Sequence, residues 1–227
     1  MSIADLETQH FFHLRGDEMI APFFASHRYP WTMLNSIGEF IRQQGPLLSD
    51  DYYELRGPGV WVARSAKIWD YVTIAGPVII GEGTEIRPGA FIRGNVYVGP
   101  NSVVGNSTEI KNSIFVEHVE APHYNYIGDS ILASHAHMGA GSITSNLRAD
   151  RQNIVIHYEG HNMETGLRKM GAILAEHVEV GCNAVLNPGV MLCEHAMVYP
   201  VSCVRVSMPA YTIHKNQGQI VRRTERL

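Results

Sequence analysis

The chain has 227 residues, of which 45% are hydrophobic and 18% charged, with a formal net charge of −4 at pH 7. That balance fits one soluble domain with a small appendage and excludes a disordered chain, a membrane-spanning one and a generally basic nucleic-acid binder. The N-terminal stretch MSIADLETQHFFHLRGDE has no basic segment followed by an apolar run, so no signal peptide is expected and the cytoplasm is the default location.

Residues 1–57 differ in character from the rest of the chain. Helices are expected over Asp17–Phe24 and Trp31–Gln44, the second carrying Leu34, Ile37, Phe40 and Ile41 on one face and ending at Gly45-Pro46. Because the first coil of a solenoid exposes an apolar end, this segment reads as a helical cap over that end, with no chemistry of its own.

Residues 58–210 carry the dominant signal. An aliphatic residue recurs at every sixth position from Val62 through Ile68, Ile74, Ile80, Ile86, Ile92, Val98 and Val104 to Ile110. A repeat this short cannot close a core alone and must stack on its neighbours. Six extended residues span about 20 Å, one flat side of a prism. The segments IGEG at 80–83, RPG at 87–89, VGPN at 98–101 and VGNS at 104–107 place Gly, Pro and Asn at the corners. The hexads return at Leu132 and Met138 and again from Leu174 through Val180, Leu186, Leu192 and Val198 to Val204, enough for about five or six three-sided coils.

Two segments interrupt this reading: Phe115–Asp129, and the stretch from Asn146 to Gly171. Within the second, the loop 147–170 reads as a hairpin turning near Glu159-Gly160 that projects from the prism and reaches a neighbouring subunit. Interruptions of a regular scaffold are where function is sought. Cys182, Cys193 and Cys203 are odd in number and lack a CxxC spacing, which suits reduced thiols in a packed wall. Residues 211–227 read as a solvated tail carrying His214, Lys215, Arg222 and Arg223, with a contact to a cosubstrate phosphate as the lesser alternative.

The blocks RPGA at 87–90, VGNSTEIK at 104–111, APHYNYIGDS at 121–130 and MGAGSITSN at 138–146 resemble a particular branch of hexapeptide-repeat proteins. This is the acetyltransferase domain of the bifunctional N-acetylglucosamine-1-phosphate uridyltransferase/glucosamine-1-phosphate acetyltransferase. METGLRKMGAIL at 163–174 is closer to the same domain in archaeal-type sugar-1-phosphate nucleotidylyltransferases. The likeness covers residues 60–210. It implies an all-β, left-handed parallel β-helix, where hexad spacing alone leaves the hand open. It also implies a homotrimer with the site between subunits, acetyl-CoA as cosubstrate, no required metal and an amino sugar phosphate as acceptor.

Carried over residue by residue, the resemblance makes His123 the catalytic base that takes a proton from the amine as it attacks the thioester. It makes Arg87 and Lys111 the phosphate-holding cations and Tyr126 and Asn146 substrate contacts. Backbone N–H groups around Gly139 and Ala140 become cofactor contacts, with Arg168 and Lys169 supplying positive charge. Two positions depart from the family's pattern. His137 stands where a second substrate asparagine is expected, and Gln152, beside Arg151, stands where a lysine is expected, so the acceptor is open to change. The 57 leading residues are too few for a nucleotidyltransferase domain of roughly 200 residues, so uridylyl transfer is not expected of these residues, and a separate nucleotidyltransferase partner is left open.

Two other classes are weighed. A γ-carbonic-anhydrase-like metal site is suggested by the H-x4-H spacing of His118 and His123, with His135 and His137 as further imidazoles, but no histidine lies between His27 and His118 to supply the third ligand. A non-catalytic scaffold that binds a sugar nucleotide is the other.

Overall fold

A coil whose sides each direct one aliphatic residue inward needs three such residues per turn, and the chain supplies them. In the computed structural model, which describes residues 3–16 and 18–223, the strands stack into three sheets of eight, seven and nine strands, parallel except for one edge strand in each of the larger two. These are the faces of a left-handed hexapeptide-repeat β-helix. Face A carries Val60–Ala63, Val78–Ile80, Val96–Val98, Ser113–Phe115, Ile131–Leu132, Ala172–Leu174 and Val190–Leu192. Face B runs from Lys67–Ile68 through Glu120–His123 and His137–Met138 to Thr212–His214, and face C from Thr73–Ile74 through Glu109–Lys111 and Tyr126–Gly128 to Cys203–Val204. The hexad residues Val62, Ile80, Ile86, Ile92, Val98, Val104 and Ile110 are fully buried along the axis.

Face C has seven strands and therefore seven coils, more than the hexad count gives. The extra coil comes from Phe115–Asp129, which is not an interruption. Ile110 pairs with Ile127, Phe115 with Leu132 and Val104 with Ala121, all seventeen residues apart, whereas Ile92 and Ile110 are eighteen apart. One corner has shed a residue. Where Gly94 and Asn95 both turn with positive φ, the next coils turn on Asn112 alone and then on Asp129 alone. Asn and Asp tolerate this left-handed conformation better than other side-chain-bearing residues, which makes so tight a corner accessible.

The N-terminal segment is not a cap over the open end. Of the expected Asp17–Phe24 helix, Asp17 lies outside the described residues and the helix is Ala21–Ala25. The expected Trp31–Gln44 helix divides into a 3-10 turn, Pro30–Asn35, and a helix, Ile37–Gln44. These elements lie along face A. Leu6, Phe11, Phe24, Trp31, Leu34, Ile37 and Phe40 form one cluster with Ile79, Tyr97, Ile114, Ile131, Ile173 and Met191, the outward residues of that face. Ile68, Val72 and Ile74 of the first coil are only half buried, as expected of an end that helices do not cover. The sheet itself begins before the solenoid, since Tyr53–Gly57 pairs antiparallel with Val60–Ala63.

The long excursion is a hairpin, Val155–Tyr158 with His161–Glu164, turning on Glu159 and Gly160, both at positive φ. It does not project. Ile154, Ile156 and Met170 are fully buried in the cluster over face A, so the hairpin folds back on its own chain. The C-terminal stretch is also more ordered than a solvated tail: Thr212–His214 completes face B and Ile220–Arg222 returns antiparallel beside it. His214 occupies an inward position and is buried. All three cysteines are free; Cys193 is buried in the wall, while Cys182 and Cys203 are exposed. Among the described residues no helix is long and apolar enough to cross a membrane.

Stacked corners align like with like. At the corner between faces A and B, His118, His135, His177 and His195 stack with centroid spacings of 4.7–4.9 Å and interplanar angles of 4–6°, and Tyr211 continues the column at 4.8 Å and 27°. Burial, and then the charges of His118 and His177, hold the His135 imidazole below its ordinary pKa, against an opposing pull from Glu117. Burial also lowers His214, opposed only by a backbone hydrogen bond. The unfolded chain therefore takes up protons more readily than the folded one. The associated stability is complete above an unfolded value near 6.5 and falls as pH drops below it. His135→Asn suits the same corner backbone, as Asn101 does in the same column. Its melting temperature should fall less than that of the unsubstituted protein between pH 7 and pH 5; equal falls would show that the column does not sense acid.

Candidate functional site

The outward positions of face A are apolar and covered, so chemistry has to come from faces B and C. On face C, Glu109, Ile110 and Lys111 pair with Tyr126, Ile127 and Gly128 one coil above. The isoleucines point inward, which turns Glu109, Lys111 and Tyr126 outward. Asn146 follows the next strand, Ile143–Thr144. Its Nδ2 lies 2.6 Å from Asp129 Oδ2 and 3.3 Å from Tyr126 Oη. Lys111 Nζ lies 3.4 Å from the same Asp129 oxygen. Three residues singled out from the sequence, Lys111, Tyr126 and Asn146, are thus brought together.

Their meeting point is Asp129, which sequence reasoning reaches only as the boundary of an interruption. The residue is 5% exposed, and its carboxylate also accepts a hydrogen bond from Asn112 Nδ2 at 2.9 Å. Gly128 is part of the same arrangement. A Cβ there would lie 2.7 Å from Tyr126 Oη and 2.8 Å from Asn146 Nδ2, so only glycine lets the tyrosine lean across to the amide. Burial raises the pKa of the Tyr126 hydroxyl, the hydrogen bond from Asn146 opposes this, and the Asp129 charge adds to the rise. The phenol therefore keeps its proton at neutral pH.

His123 ends the strand Glu120–His123 at the corner between faces B and C, three residues before Tyr126. Its side chain is exposed and its imidazole makes no hydrogen bond among the described residues. The backbone at this corner is held from within. Buried Asn125 accepts the His123 N–H through Oδ1 and donates to the carbonyls of Gly139 and Ser142. Gly139 and Ala140 form the same corner one coil up, where the Gly141 N–H donates to the His123 carbonyl at 2.9 Å. The base candidate and the backbone proposed for the cofactor are therefore adjacent.

Arg87 is not part of this cluster. It ends the strand Glu85–Ile86 on face B and pairs with Glu85 at 2.9 Å. The reason is arithmetic: Lys111 lies 111 − 87 = 24 residues later, four hexads, which is one side more than a full turn. The residue beneath Lys111 is Arg93, at 111 − 93 = 18 residues, whose N–H donates to the carbonyl of Ile110 and whose Nη1 reaches Glu109 at 2.6 Å. The RPGA block stands one hexad too early for its arginine to share Lys111's face. The hexad spacing itself carries the signal for Arg93.

His137 sits on face B above Glu120, with Nδ1 3.0 Å from Glu179 Oε2; that hydrogen bond raises its pKa against the cost of burial. It does not join Tyr126 and Asn146 on face C. Arg168 and Lys169 are exposed on the returning limb of the excursion, Arg168 beside Arg148, Arg151 and Glu164. Gln152 donates its N–H to Asp150, which Arg148 holds at a pKa of about 2. His118 and His123, paired by spacing as metal ligands, lie at opposite edges of face B, one at each corner, so they cannot share an ion within the chain. No group of three or more His, Cys, Asp or Glu residues poised for a metal occurs among the described residues.

The chain is 31% identical over 163 residues to the bifunctional sugar-1-phosphate nucleotidylyltransferase/acetyltransferase of Sulfurisphaera tokodaii, a match covering 64% of this chain and 41% of that one. It is 33% identical over 187 residues to the bifunctional protein GlmU of Methanococcus vannielii, covering 74% and 41%. The matched part thus spans about two-fifths of the length of these relatives. A hexapeptide transferase family protein from Anaplasma phagocytophilum superposes with a TM-score of 0.43 at 18% identity, over 74% of this chain and 81% of that one. Residues 74–202, more than half of the chain, match the family described as the GMPPB C-terminal domain, and the chain belongs to that family.

Proposed function

We propose that this protein is an acetyl-CoA-dependent N-acetyltransferase acting on an amino sugar phosphate, with His123 as general base. The observation that carries the reading is the gathering of Lys111, Tyr126 and Asn146 around Asp129 on face C, one corner from an unencumbered imidazole. The archaeal relatives include one named for acetyl transfer together with sugar-1-phosphate nucleotidyl transfer, which supports a sugar phosphate as the acceptor class.

The chemistry follows from the placement. The acceptor amine attacks the thioester carbonyl; the C–N bond forms as the C–S bond breaks, and the CoA thiolate leaves. The imidazole of His123 takes the ammonium proton from nitrogen as that bond forms and can return it to the departing sulfur. Lys111, with Arg93 one coil below, supplies cations for a phosphate, and a guanidinium with an ammonium is well suited to a dianion. Acetyl-CoA would lie along the B/C corner, where Gly139 and Ala140 follow His123 up the coil. Arg168 and Lys169 are exposed cations suited to its phosphates. His123 is open to solvent on one side, which favours a homotrimer in which the neighbouring prism closes the site. His137, displaced onto face B, would meet the acceptor only from such a neighbour.

A γ-carbonic-anhydrase-like reading is disfavoured by the separation of His118 from His123 across face B. A binding scaffold would predict ligand capture without turnover. Release of free CoA thiol from acetyl-CoA in the presence of glucosamine-1-phosphate separates the two. His123→Ala should lower kcat by about 10²- to 10⁴-fold in a protein that remains folded, and turnover unaffected by this change would exclude His123 as the base. Arg93→Ala should raise the acceptor KM by about tenfold or more, while Arg87→Ala changes it by less than about threefold. The reverse ranking would return the phosphate contact to Arg87.

A further inference from the structure

Asp129 stands at a corner that turns on a single residue, and its backbone closes the root of the excursion. The Asp129 N–H donates to the Lys111 carbonyl at 2.9 Å, and its own carbonyl accepts the Gly171 N–H at 2.8 Å. Its side chain has another consequence. A carboxylate can only accept hydrogen bonds, so whatever reaches it must present a donor. Asn112 and Asn146 therefore both turn their amide nitrogens toward Asp129, at 2.9 Å on Oδ1 and 2.6 Å on Oδ2.

Each amide has two N–H donors, and both are engaged. Asn112 Nδ2 also donates to the Leu34 carbonyl at 3.1 Å, which ties the N-terminal segment into the array. Asn146 Nδ2 also donates to Tyr126 Oη at 3.3 Å. The direction of every bond is then fixed from Leu34 to Tyr126. Because its nitrogen is committed, Asn146 has Oδ1 left for a ligand, and that oxygen is an acceptor. Because Tyr126 receives a bond from Asn146, its own O–H proton is free to be donated.

We infer that Asp129 is the positioning residue that sets the hydrogen-bond polarity of the acceptor site, so that Asn146 Oδ1 receives an N–H of the acceptor amine and the Tyr126 O–H is donated to an oxygen of the same ligand. This rests on the N-acetyltransferase reading above. It also assigns the ligand's orientation: its amine lies toward the Asn146 end and an acceptor oxygen toward Tyr126, with Lys111 beside the carboxylate. An amine whose N–H is held by an acceptor oxygen keeps its lone pair available for attack, and its proton passes to His123 as the C–N bond forms. An inverted Asn146 amide would place an N–H against that nitrogen and compete for the same lone pair.

Replacing Asp129 by Asn removes the constraint, because a carboxamide can donate or accept and the array can then invert. The expected outcome for Asp129→Asn is a loss of about 10- to 100-fold in kcat/KM for glucosamine-1-phosphate, with the KM for acetyl-CoA unchanged within about twofold. A merely structural defect would not divide the two substrates in this way. Asn146→Asp alone sets two carboxylates against each other and should be at least as impaired. The double variant Asp129→Asn with Asn146→Asp restores a donor facing an acceptor and leaves an acceptor oxygen toward the amine, while the Tyr126 O–H is drawn to the new carboxylate, so only the amine end of the polarity is rebuilt. It should therefore recover activity by about fivefold or more over either single variant. Folding of all three is followed by thermal melting. An unchanged kcat/KM for the acceptor in Asp129→Asn, or a folded double variant no better than the singles, overturns the assignment while leaving the acetyltransferase reading intact. Absence of turnover in the unsubstituted protein removes both.

Discussion

Each coil must turn three corners in one or two residues, and most of what distinguishes this molecule comes from that constraint. Turns so short require a backbone in the left-handed region, which few residue types tolerate. Because successive coils superpose at the spacing of hydrogen-bonded strands, about 4.8 Å, each corner residue stacks on its counterpart above and below. Corners therefore become columns. One column is the four imidazoles from His118 to His195; another runs from Asn95 through Asn112 to Asp129. In the second, a carboxylate stacked beside an amide fixes that amide's direction.

The three faces divide the work by what they show outward. Face A turns out Ile79, Tyr97, Ile114, Ile131, Ile173 and Met191, a strip too apolar to leave in water, and the chain covers it twice, with its N-terminal helices and with the 155–164 hairpin. Polar ties fix the first cover: the His13 N–H donates to Glu176 at 2.8 Å and Arg15 pairs with Glu117 at 3.0 Å. Burial raises the pKa of Glu176, although the His13 N–H opposes the shift. Ile131 and Ile173 flank the excursion's roots in the sheet, so the insertion leaves the prism one coil after Ile131, packs over face A and rejoins that face at Ile173.

The solenoid is legible in the sequence because its signal is redundant. Nine hexads state the same pattern, and a misread corner does not erase it. The coil through Phe115–Asp129 is obscured by the loss of a single residue. Phe115, Ala121 and Ile127 resume the six-residue spacing once Asn112 is accepted as a whole corner, and Leu132 does so after Asp129. A sequence pattern cannot say which of two corner residues has been dropped. The sidedness of the appendages is likewise hidden, because an amphipathic helix shows that it covers something without showing what. Lys111, Tyr126 and Asn146 are reached through block resemblance and do converge. Arg87 is misplaced when a motif is followed past the geometry, whereas a count of eighteen residues back from Lys111 reaches Arg93 directly.

Charge on face C is locally balanced: Arg93 is paired with Glu109 and Lys111 lies near Asp129. The two pairs differ in a way that bears on function. Arg93 and Glu109 are both substantially exposed, and an exposed pair contributes little and is readily exchanged for another partner. Asp129 is almost wholly buried and committed to two amides as well as to Lys111, so it cannot swing aside when an anionic ligand arrives. Of the two cations, Arg93 is therefore the one free to release its carboxylate and turn toward another anion. Lys111, at 3.4 Å from a fixed carboxylate, supplies a stationary charge. The candidate site thus combines one rigid element with one adjustable element, and both arise from where a seventeen- or eighteen-residue turn lets side chains stack.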